Sequence, residues 1–399
     1  MPPPPSHSDS AETVIVGMSG GVDSAVAALL LRDSGFSVQG LFMSNWEDDD
    51  DAYCTAAEDF QDARAVCETL GLPLHRVSFA SEYRERVFAR FLSDYAAGRT
   101  PNPDVLCNRE IKFGVCLEYM RRLGAARIAT GHYARLEHGA SGTRLLKARD
   151  ASKDQSYFLH GVCPDALSAA LFPLGELSKD DVRRRAHAAG LRVFDKPDST
   201  GICFIGERPF QDFLSRYLKD SEGPIETPEG RLLGQHRGLA FYTLGQRSGL
   251  GVGGKAGAVE APWYVADKDA GRNALIVVQD HEHPLLMSDA FEVEEVHWLA
   301  PGAAGDTEFE CAVKTRYRQG DLACRVSVRA GGRVQVSLQR PARAVTPGQY
   351  AVFYDGDVCL GGGVIAGRRN ISSAAGRNIS SAAVHRPVSS NSLFSLEES

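Results

Sequence analysis

The stretch "VGMSGGVDSAVAALLLRDSG" (Val16–Gly35) decides how the N-terminal half is read. An apolar run, "TVIVG" (Thr13–Gly17), enters a glycine turn, and the turn opens into a helical pattern over Asp23–Ser34 closed by Gly35. Paired glycines let backbone N–H groups approach an anion closely, and a helix N-terminus adds partial positive charge. What the turn lacks narrows the anion. A Walker A loop needs a Lys after its last glycine to reach the β- and γ-phosphates, and Gly21-Val22-Asp23-Ser24 has none. The dinucleotide fingerprint G-x-G-x-x-G does not fit "GMSGGVDS" either. What remains is Ser19-Gly20-Gly21-Val22-Asp23-Ser24, with hydroxyl donors at Ser19 and Ser24. Asp23 would repel a bare phosphate, so its expected role is to hold Mg²⁺ on a pyrophosphate.

Outward from the loop, short apolar runs alternate with helical patterns as far as about Gly206. "VQGLFM" (Val38–Met43), "LHRVSF" (Leu74–Phe79) and "ARIATGH" (Ala126–His132) read as strands. "AAEDFQDARAVCETLG" (Ala56–Gly71), "EYRERVFARFLSDYAAG" (Glu82–Gly98) and "EIKFGVCLEYMRRLG" (Glu110–Gly124) read as helices. This β-α-β-α order predicts an α/β fold with a doubly wound parallel sheet. Ligands of such sheets bind beyond the C-terminal strand ends. Gly17, Met43 and Gly131 all fall at predicted strand ends, so one shared crevice is expected to hold them. After Glu207 a short helix, "RPFQDFLSRYL", gives way to glycine-punctuated segments, and after about His283 short alternating strands dominate. They predict a small central domain and a C-terminal antiparallel β-barrel. The expected divisions are a disordered leader over 1–12, the sheet domain over 13–206, the central domain over 207–283 and the barrel over 284–367. A Ser-rich tail over 368–399 repeats "RNISSAA" and reads as disordered.

The 399 residues are 43% hydrophobic and carry a formal net charge of −7. Contact with nucleic acid must therefore come from local basic patches. No apolar run reaches the length of a membrane span, and the first residues lack the features of a signal or transit peptide. A cytoplasmic protein without membrane contact is expected. There are nine cysteines and no C-x-x-C, so reduced thiols are expected, about seven of them as small buried hydrophobes. The acidic run Glu47–Asp51 reads as a solvated loop, and "HEHP" (His281–Pro284) as a turn; no protein-ligated metal is expected.

Two cysteines stand apart. "GRTPNPDVLCNREIKFG" (Gly98–Gly114) places Cys107 after a Pro-Asn-Pro run, which predicts a non-helical loop and a helix starting near Asn108. A thiol just before a helix N-terminus should be shifted from about 8.5 toward neutrality. Cys203, in "KPDSTGICFIGE" (Lys196–Glu207), follows a Ser-Thr-Gly turn. Asp104, three residues before Cys107, offers general acid or base chemistry or, alternatively, a helix cap. "KTRYRQ" (Lys314–Gln319) interleaves three cations with Tyr317. On a regular strand Arg316 and Tyr317 would face opposite sides, so both reach one partner only if the segment is bulged or terminal. His132, beside Gly131, borders the predicted crevice.

"SGGVDS" resembles the signature of the ATP pyrophosphatase (PP-loop) superfamily, whose members adenylate a carbonyl-type oxygen and release pyrophosphate. "TPNPDVLCN" (Thr100–Asn108), "KDQSYFL" (Lys153–Leu159), "DSTGICFIGER" (Asp198–Arg208), "GLGVGG" (Gly249–Gly254), "HEHPLLMS" (His281–Ser288) and "VKTRYRQ" (Val313–Gln319) together resemble the tRNA-specific 2-thiouridylases, from about Val14 to Ile365. These bacterial-type enzymes place sulfur on the wobble uridine. The resemblance implies ATP with Mg²⁺, contacts at Gly17, Met18, Ser19, Gly20, Gly21, Val22, Asp23, Ser24, Met43 and Gly131, and catalysis by Cys107, Cys203 and Asp104. Asn102, Pro103 and Asp104 would meet the target base. Lys153, Asp154, Gln155, Arg316 and Tyr317 would contact tRNA. Cys203 would receive a persulfide from a sulfur-relay donor or a cysteine desulfurase. Cys107 would then either break the persulfide S–S bond, leaving a transient Cys107–Cys203 disulfide, or release hydrosulfide. Both routes need the two thiols to approach within disulfide geometry.

Overall fold

A computed structural model describes residues 12–46, 56–198, 210–219, 221–252, 261–299, 308–329 and 331–371. The leader, the acidic run Glu47–Asp51, Cys54, Cys203 and the tail from 372 lie outside the described residues.

The first layer is a parallel sheet. Strands β1 (Thr13–Met18), β2 (Ser37–Ser44), β3 (Leu74–Ser78) and β4 (Arg127–Ala129) form it with β7 (Ala170–Leu171), which follows a hairpin of β5 (Ala134–Gly139) and β6 (Gly142–Lys147). Its order is β3-β2-β1-β4-β7, every neighbour parallel. "TVIVG" reads as an unbroken apolar run because both faces are covered. Val14 and Val16 pack with helices α1 (Val22–Asp33), α2 (Ala56–Leu70) and α3 (Lys179–Ala188), while Ile15 and Leu41 pack with the helices of residues 80–122. The sheet is doubly wound as expected. From β1 the chain runs outward through β2 and β3, then returns to place β4 on the other side of β1. The switch point is therefore the cleft between the C-terminal ends of β1 and β4. Gly17 and Gly131 frame it.

The helix carrying Cys107 differs from expectation. It begins at Pro103, not near Asn108: Asn102 is the cap, its Oδ1 accepting the Asp104 N–H at 3.1 Å, and Pro103 occupies the first helical position. A proline there loses no intrahelical bond and has its φ preset, so the Pro-Asn-Pro run starts the helix instead of delaying it. The helix continues as a wider-wound segment over Cys107–Val115, is broken in geometry at Gly114 (φ −103°, ψ −106°), and resumes over Cys116–Arg122.

The central sheet has the order β10-β11-β8-β9, from β8 (Gly223–Glu226), β9 (Leu232–His236), β10 (Trp263–Asp269) and β11 (Ala274–Gln279). Six antiparallel strands follow: β12 (Met287–Trp298), β13 (Glu308–Lys314), β14 (Leu322–Val328), β15 (Val334–Arg343), β16 (Tyr350–Asp355) and β17 (Val358–Asn370). They run β12-β15-β14-β13-β16-β17, and β17 pairs back onto β12, closing the barrel. The β5–β6 hairpin of the first region joins its edge through Leu146 opposite Val358. β17 reaches Asn370, so residues 368–370, assigned to the tail by sequence, belong to the barrel; Arg369 pairs there with Asp289 at 2.9 Å. β13 ends at Lys314, and Arg316–Arg318 form a turn in which Arg318 has φ +62°. The pleat conflict between Arg316 and Tyr317 thus disappears, because the strand stops before them.

Candidate functional site

The glycine loop is stitched by its own serines. Ser24 Oγ donates to the Gly21 carbonyl at 3.1 Å and accepts from the Ser19 N–H at 3.2 Å, with Ser19 Oγ also 3.2 Å away. Gly20 has φ +76°, and a Cβ there would stand 2.4 Å from the Asp59 carbonyl oxygen, so only glycine fits. Met18 and Val22 are core side chains, which leaves their backbone as what they offer a ligand. Gly131 presses on the start of α1: a Cβ on it would lie 2.7 Å from both Asp23 C and Ser24 N. A Cβ on Gly17 would lie 3.7 Å from Met43 Cε. Gly17, Met43 and Gly131 therefore do meet around the loop.

Asp23 is not placed as a free metal ligand. Its two carboxylate oxygens accept from Lys179 Nζ at 2.7 and 2.8 Å, and Tyr133 Oη donates to Oδ1 at 2.8 Å. With an ammonium bound to both oxygens, the Mg²⁺ role expected of Asp23 does not fit this carboxylate. Sequence reasoning missed Lys179, and it missed Lys196, whose Nζ donates to the Gly20 carbonyl at 3.2 Å and pairs with Asp59 at 2.7 Å and Asp62 at 2.6 Å. Lys179 is the first residue of a helix, where the macrodipole disfavours a cation. The charge line continues outward. Lys179 pairs with Asp198 at 2.6 Å, and Asp198 with Lys153 at 2.7 Å. Burial works against the Asp198 carboxylate, but the hydrogen bonds from Lys153 and Lys179 outweigh it and hold its pKa down to about 2.

Cys107 is the fifth residue of its helix, 5% exposed, not a loop thiol preceding the helix. Asp104 touches solvent on one side, yet the protein crowded round it raises its pKa by desolvation, with Lys112 opposing. Lys112 also acts on His132, whose buried ring is held neutral chiefly by desolvation and hydrogen-bonds Thr130 Oγ1 at 2.7 Å. His132 packs against Phe113 of the Cys107 helix, centroids 6.1 Å apart. So His132 lies between the glycine-loop crevice and that helix. The capping alternative for Asp104 is not what its carboxylate does, since Asn102 fills that position.

The barrel holds the loop before Asn102. Thr100 N–H donates to the Pro347 carbonyl at 3.0 Å, Gln349 Nε2 to the Thr100 carbonyl at 2.8 Å, and Arg99 pairs with Glu294 at 2.7 Å. A second seam joins the segments around Lys153 and Tyr317. Asn108 Nδ2 donates to the Phe158 carbonyl at 3.2 Å, and the Phe158 ring packs on Tyr317 with centroids 4.5 Å apart. Asp154, expected to contact RNA, turns its carboxylate inward. It accepts the N–H groups of Ala148 and Ser156 at 3.1 Å each, and Lys314 Nζ at 3.3 Å. With the Ser156 hydroxyl donating as well, at 3.1 Å, four donors in a buried site leave that carboxylate nothing to offer a phosphate. Gln155 Oε1 is likewise spent on the Tyr133 N–H at 2.9 Å. Lys153 is half-buried with its ammonium on Asp198, and Arg316 is exposed. Between the β5–β6 hairpin, the barrel and residues 148–154 lies a groove of about 420 Å³ whose lining mixes cations (Arg135, Lys147, Arg149, Lys314) with carboxylates (Asp154, Glu176, Asp357).

Of the seven described cysteines five are buried, Cys311 is half-buried and Cys163 exposed. No described helix is long and apolar enough to cross a membrane. No group of three or more His, Cys, Asp or Glu that could hold a metal ion occurs among the described residues.

A doubly wound domain with this loop at its switch point, followed by a four-stranded sheet and a closed antiparallel barrel, matches the domain families of tRNA-modifying enzymes. Residues 12–207 match the family described as tRNA methyl transferase HUP domain, 211–279 the tRNA methyl transferase PRC-barrel domain, and 288–365 the aminomethyltransferase beta-barrel domain. The chain belongs to the tRNA-specific 2-thiouridylase (MnmA) family. It is 57% identical over 364 residues to the tRNA-specific 2-thiouridylase MnmA of Chromohalobacter salexigens, covering 91% of this chain and 94% of the relative. The MnmA of Methylococcus capsulatus is 56% identical, covering 88% of this chain and 95% of the relative. That of Vibrio cholerae is 54% identical, covering 90% and 98%.

Proposed function

We propose that this chain uses ATP to replace the C2 oxygen of the wobble uridine of tRNA by sulfur. The observation that carries the reading is the adjacency just described: the glycine loop at the β1/β4 switch point and the Cys107 helix border the same His132, and that helix is fastened to the Lys153–Phe158 segment.

The uracil C2 oxygen is a poor leaving group. Its attack on the α-phosphorus of ATP forms the O–P bond and expels pyrophosphate, so the oxygen becomes part of AMP. The N–H groups of the glycine loop and the start of α1 offer donors for the pyrophosphate charge. Mg²⁺ accompanying ATP would ride on phosphate oxygens; no step here runs through Asp23 as its ligand. The terminal sulfur of a Cys203 persulfide then attacks C2, and AMP leaves. The Cys107 thiolate breaks the remaining S–S bond. Sulfur stays on the base, and a Cys107–Cys203 disulfide forms that a dithiol must reduce before the next cycle. In the alternative route Cys107 attacks the persulfide first and frees hydrosulfide, which attacks C2. Asp104, with a raised pKa and one open side, suits proton transfer at the base or at Cys107. Asn102 and Pro103 flank it in the base-facing loop. Lys153, Arg316 and Tyr317 supply tRNA contacts, with Asp154 and Gln155 acting as props for the segment. The donor of the Cys203 persulfide is a sulfur-relay protein or a cysteine desulfurase.

The test is reconstitution. Purified protein, ATP, a persulfide-loaded donor and unmodified tRNA should give wobble 2-thiouridine by nucleoside mass spectrometry, with one AMP per thiolated base. Absence of 2-thiouridine under conditions where ATP and tRNA both bind would overturn the reading.

A further inference from the structure

The glycine loop carries no cation of its own, yet two stand at its edge: Lys196, bound to the Gly20 carbonyl and paired with Asp59 and Asp62, and Lys179, paired with the loop's own Asp23. Lys179 Nζ lies 2.7 and 2.8 Å from the two oxygens of Asp23, the second residue of α1, and its side chain is only 10% exposed. A lysine at the first position of a helix is at the unfavourable pole of the macrodipole. The Ser178–Asp181 capping box stabilises that helix start, and the Lys179 N–H is held by Asp150 Oδ2 at 3.1 Å, so the backbone there is fixed. The side chain is reached from two sides by carboxylates, Asp23 and Asp198. Asp23 alone would repel a polyphosphate at the α1 N-terminus. An ammonium bound to it cancels that charge and still has hydrogen-bonding capacity, because Asp23 chelates it through both oxygens of one carboxylate.

We propose that Lys179 is the cation of the nucleotide site, donating to phosphate oxygens of ATP and of the departing pyrophosphate, with Asp23 and Asp198 as the residues that position its ammonium. In a P-loop the corresponding charge follows the last glycine. Here it arrives from the first residue of α3, a helix packed on the same face of the sheet as α1. The proposal rests on the functional reading only for the identity of the nucleotide.

The experiment measures ATP affinity by calorimetry on the full chain, with tRNA affinity and melting temperature alongside. Lys179→Met should weaken ATP binding by about tenfold or more, the scale of one charge-assisted hydrogen bond, and leave tRNA affinity within about twofold. Lys179→Arg should retain part of the ATP affinity. Asp23→Asn combined with Lys179→Met separates a phosphate contact from mere neutralisation. If Lys179 only neutralises Asp23, the double variant regains wild-type ATP affinity, and the proposal is overturned. Unchanged ATP affinity in Lys179→Met overturns it as well. Should Lys179→Met fail to fold, Asp198→Asn decides: weaker ATP binding at unchanged melting temperature supports the positioning role, and unchanged binding overturns it. A wild-type protein that binds ATP yet makes no 2-thiouridine would sink the thiolation reading while leaving this test interpretable.

Discussion

Asn108, the residue after Cys107, is fastened to the backbone carbonyl of Phe158 by a 3.2 Å hydrogen bond, which ties the Cys107 helix to the Lys153–Phe158 segment. Asn108 is 3% exposed and its Oδ1 has no partner among the described residues. Replacing Asn108 by Leu removes the donor and leaves the Phe158 carbonyl unpaired, which costs about 1–3 kcal/mol. The expected result is a lower melting temperature and slower thiolation, with ATP affinity unchanged. Calorimetry and single-turnover thiolation check it; unchanged thiolation at reduced stability would deny the seam a catalytic role.

Loop strain makes a sharper prediction at Gly20 and Gly131. Gly20→Ala forces a left-handed alanine against the Asp59 backbone at 2.4 Å. Gly131→Ala drives a methyl to 2.7 Å from Asp23 and Ser24 backbone atoms. Neither neighbour is the end of a flexible side chain, so the loop itself must shift, at about 1–3 kcal/mol for the backbone strain at Gly20 alone. Both variants should lose ATP binding out of proportion to their loss of stability. A thermal melt beside an ATP titration separates the two effects.

The sheet and the loop were readable because their signals are local. "TVIVG" is apolar without alternation, and the glycines follow at once. The Lys179–Asp23 contact was not readable as a pairing, because 156 positions separate its partners and only the fold joins them. That Lys179 opens a helix is likewise known only from the fold. Asp154 fails for the opposite reason. A Lys-Asp-Gln run looks like a polar contact surface, and nothing in its composition says that the middle carboxylate is consumed by Ala148, Ser156 and Lys314. The barrel's strands were visible by period, whereas its closure through β12 and β17, and the β5–β6 hairpin laid on its edge, depend on pairings that periodicity does not encode. Pro103 shows a rule applied at the wrong end: proline breaks helices inside and favours their first turn.

Acid should loosen the Tyr157–Phe158 segment. His160 is buried, its Nδ1 2.7 Å from the Tyr157 carbonyl, and desolvation lowers its pKa from 6.5 to about 4. The unfolded chain therefore binds a proton that the folded protein refuses between these values. Stability is full above about pH 6.5 and falls as the pH drops toward 4, by roughly 3 kcal/mol from this residue. Denaturant melts from pH 7 to 4 should show a smaller slope in His160→Gln. Asp198 acts lower on the scale: its depressed pKa gives stability that is present above its ordinary value of 3.8 and is lost as the pH falls toward about 2.

The turn after β13 should carry RNA charge. Arg316 is exposed, and Tyr317 rests on Phe158. Arg316→Ala should weaken tRNA binding and reduce the salt slope of log K by about one. Tyr317→Phe, which keeps the ring packing, should be milder than Tyr317→Ala. Filter binding across a salt series reads both, and an unchanged slope in Arg316→Ala would remove it from the phosphate contacts.

The two thiols are separable by what each variant traps. Cys203→Ser should abolish thiolation while ATP and tRNA binding persist, because no persulfide can form on the protein. Cys107→Ser should accept the persulfide and then stall, so intact-protein mass spectrometry should find one extra sulfur on Cys203. If that loaded variant, mixed with ATP and tRNA, accumulates a protein–tRNA adduct linked through sulfur, the persulfide itself attacked C2 and Cys107 acts afterwards. If no adduct forms and added hydrosulfide restores 2-thiouridine, Cys107 acts first by releasing hydrosulfide. Wild-type turnover by Cys203→Ser would refute both routes, since each begins with sulfur carried on that residue.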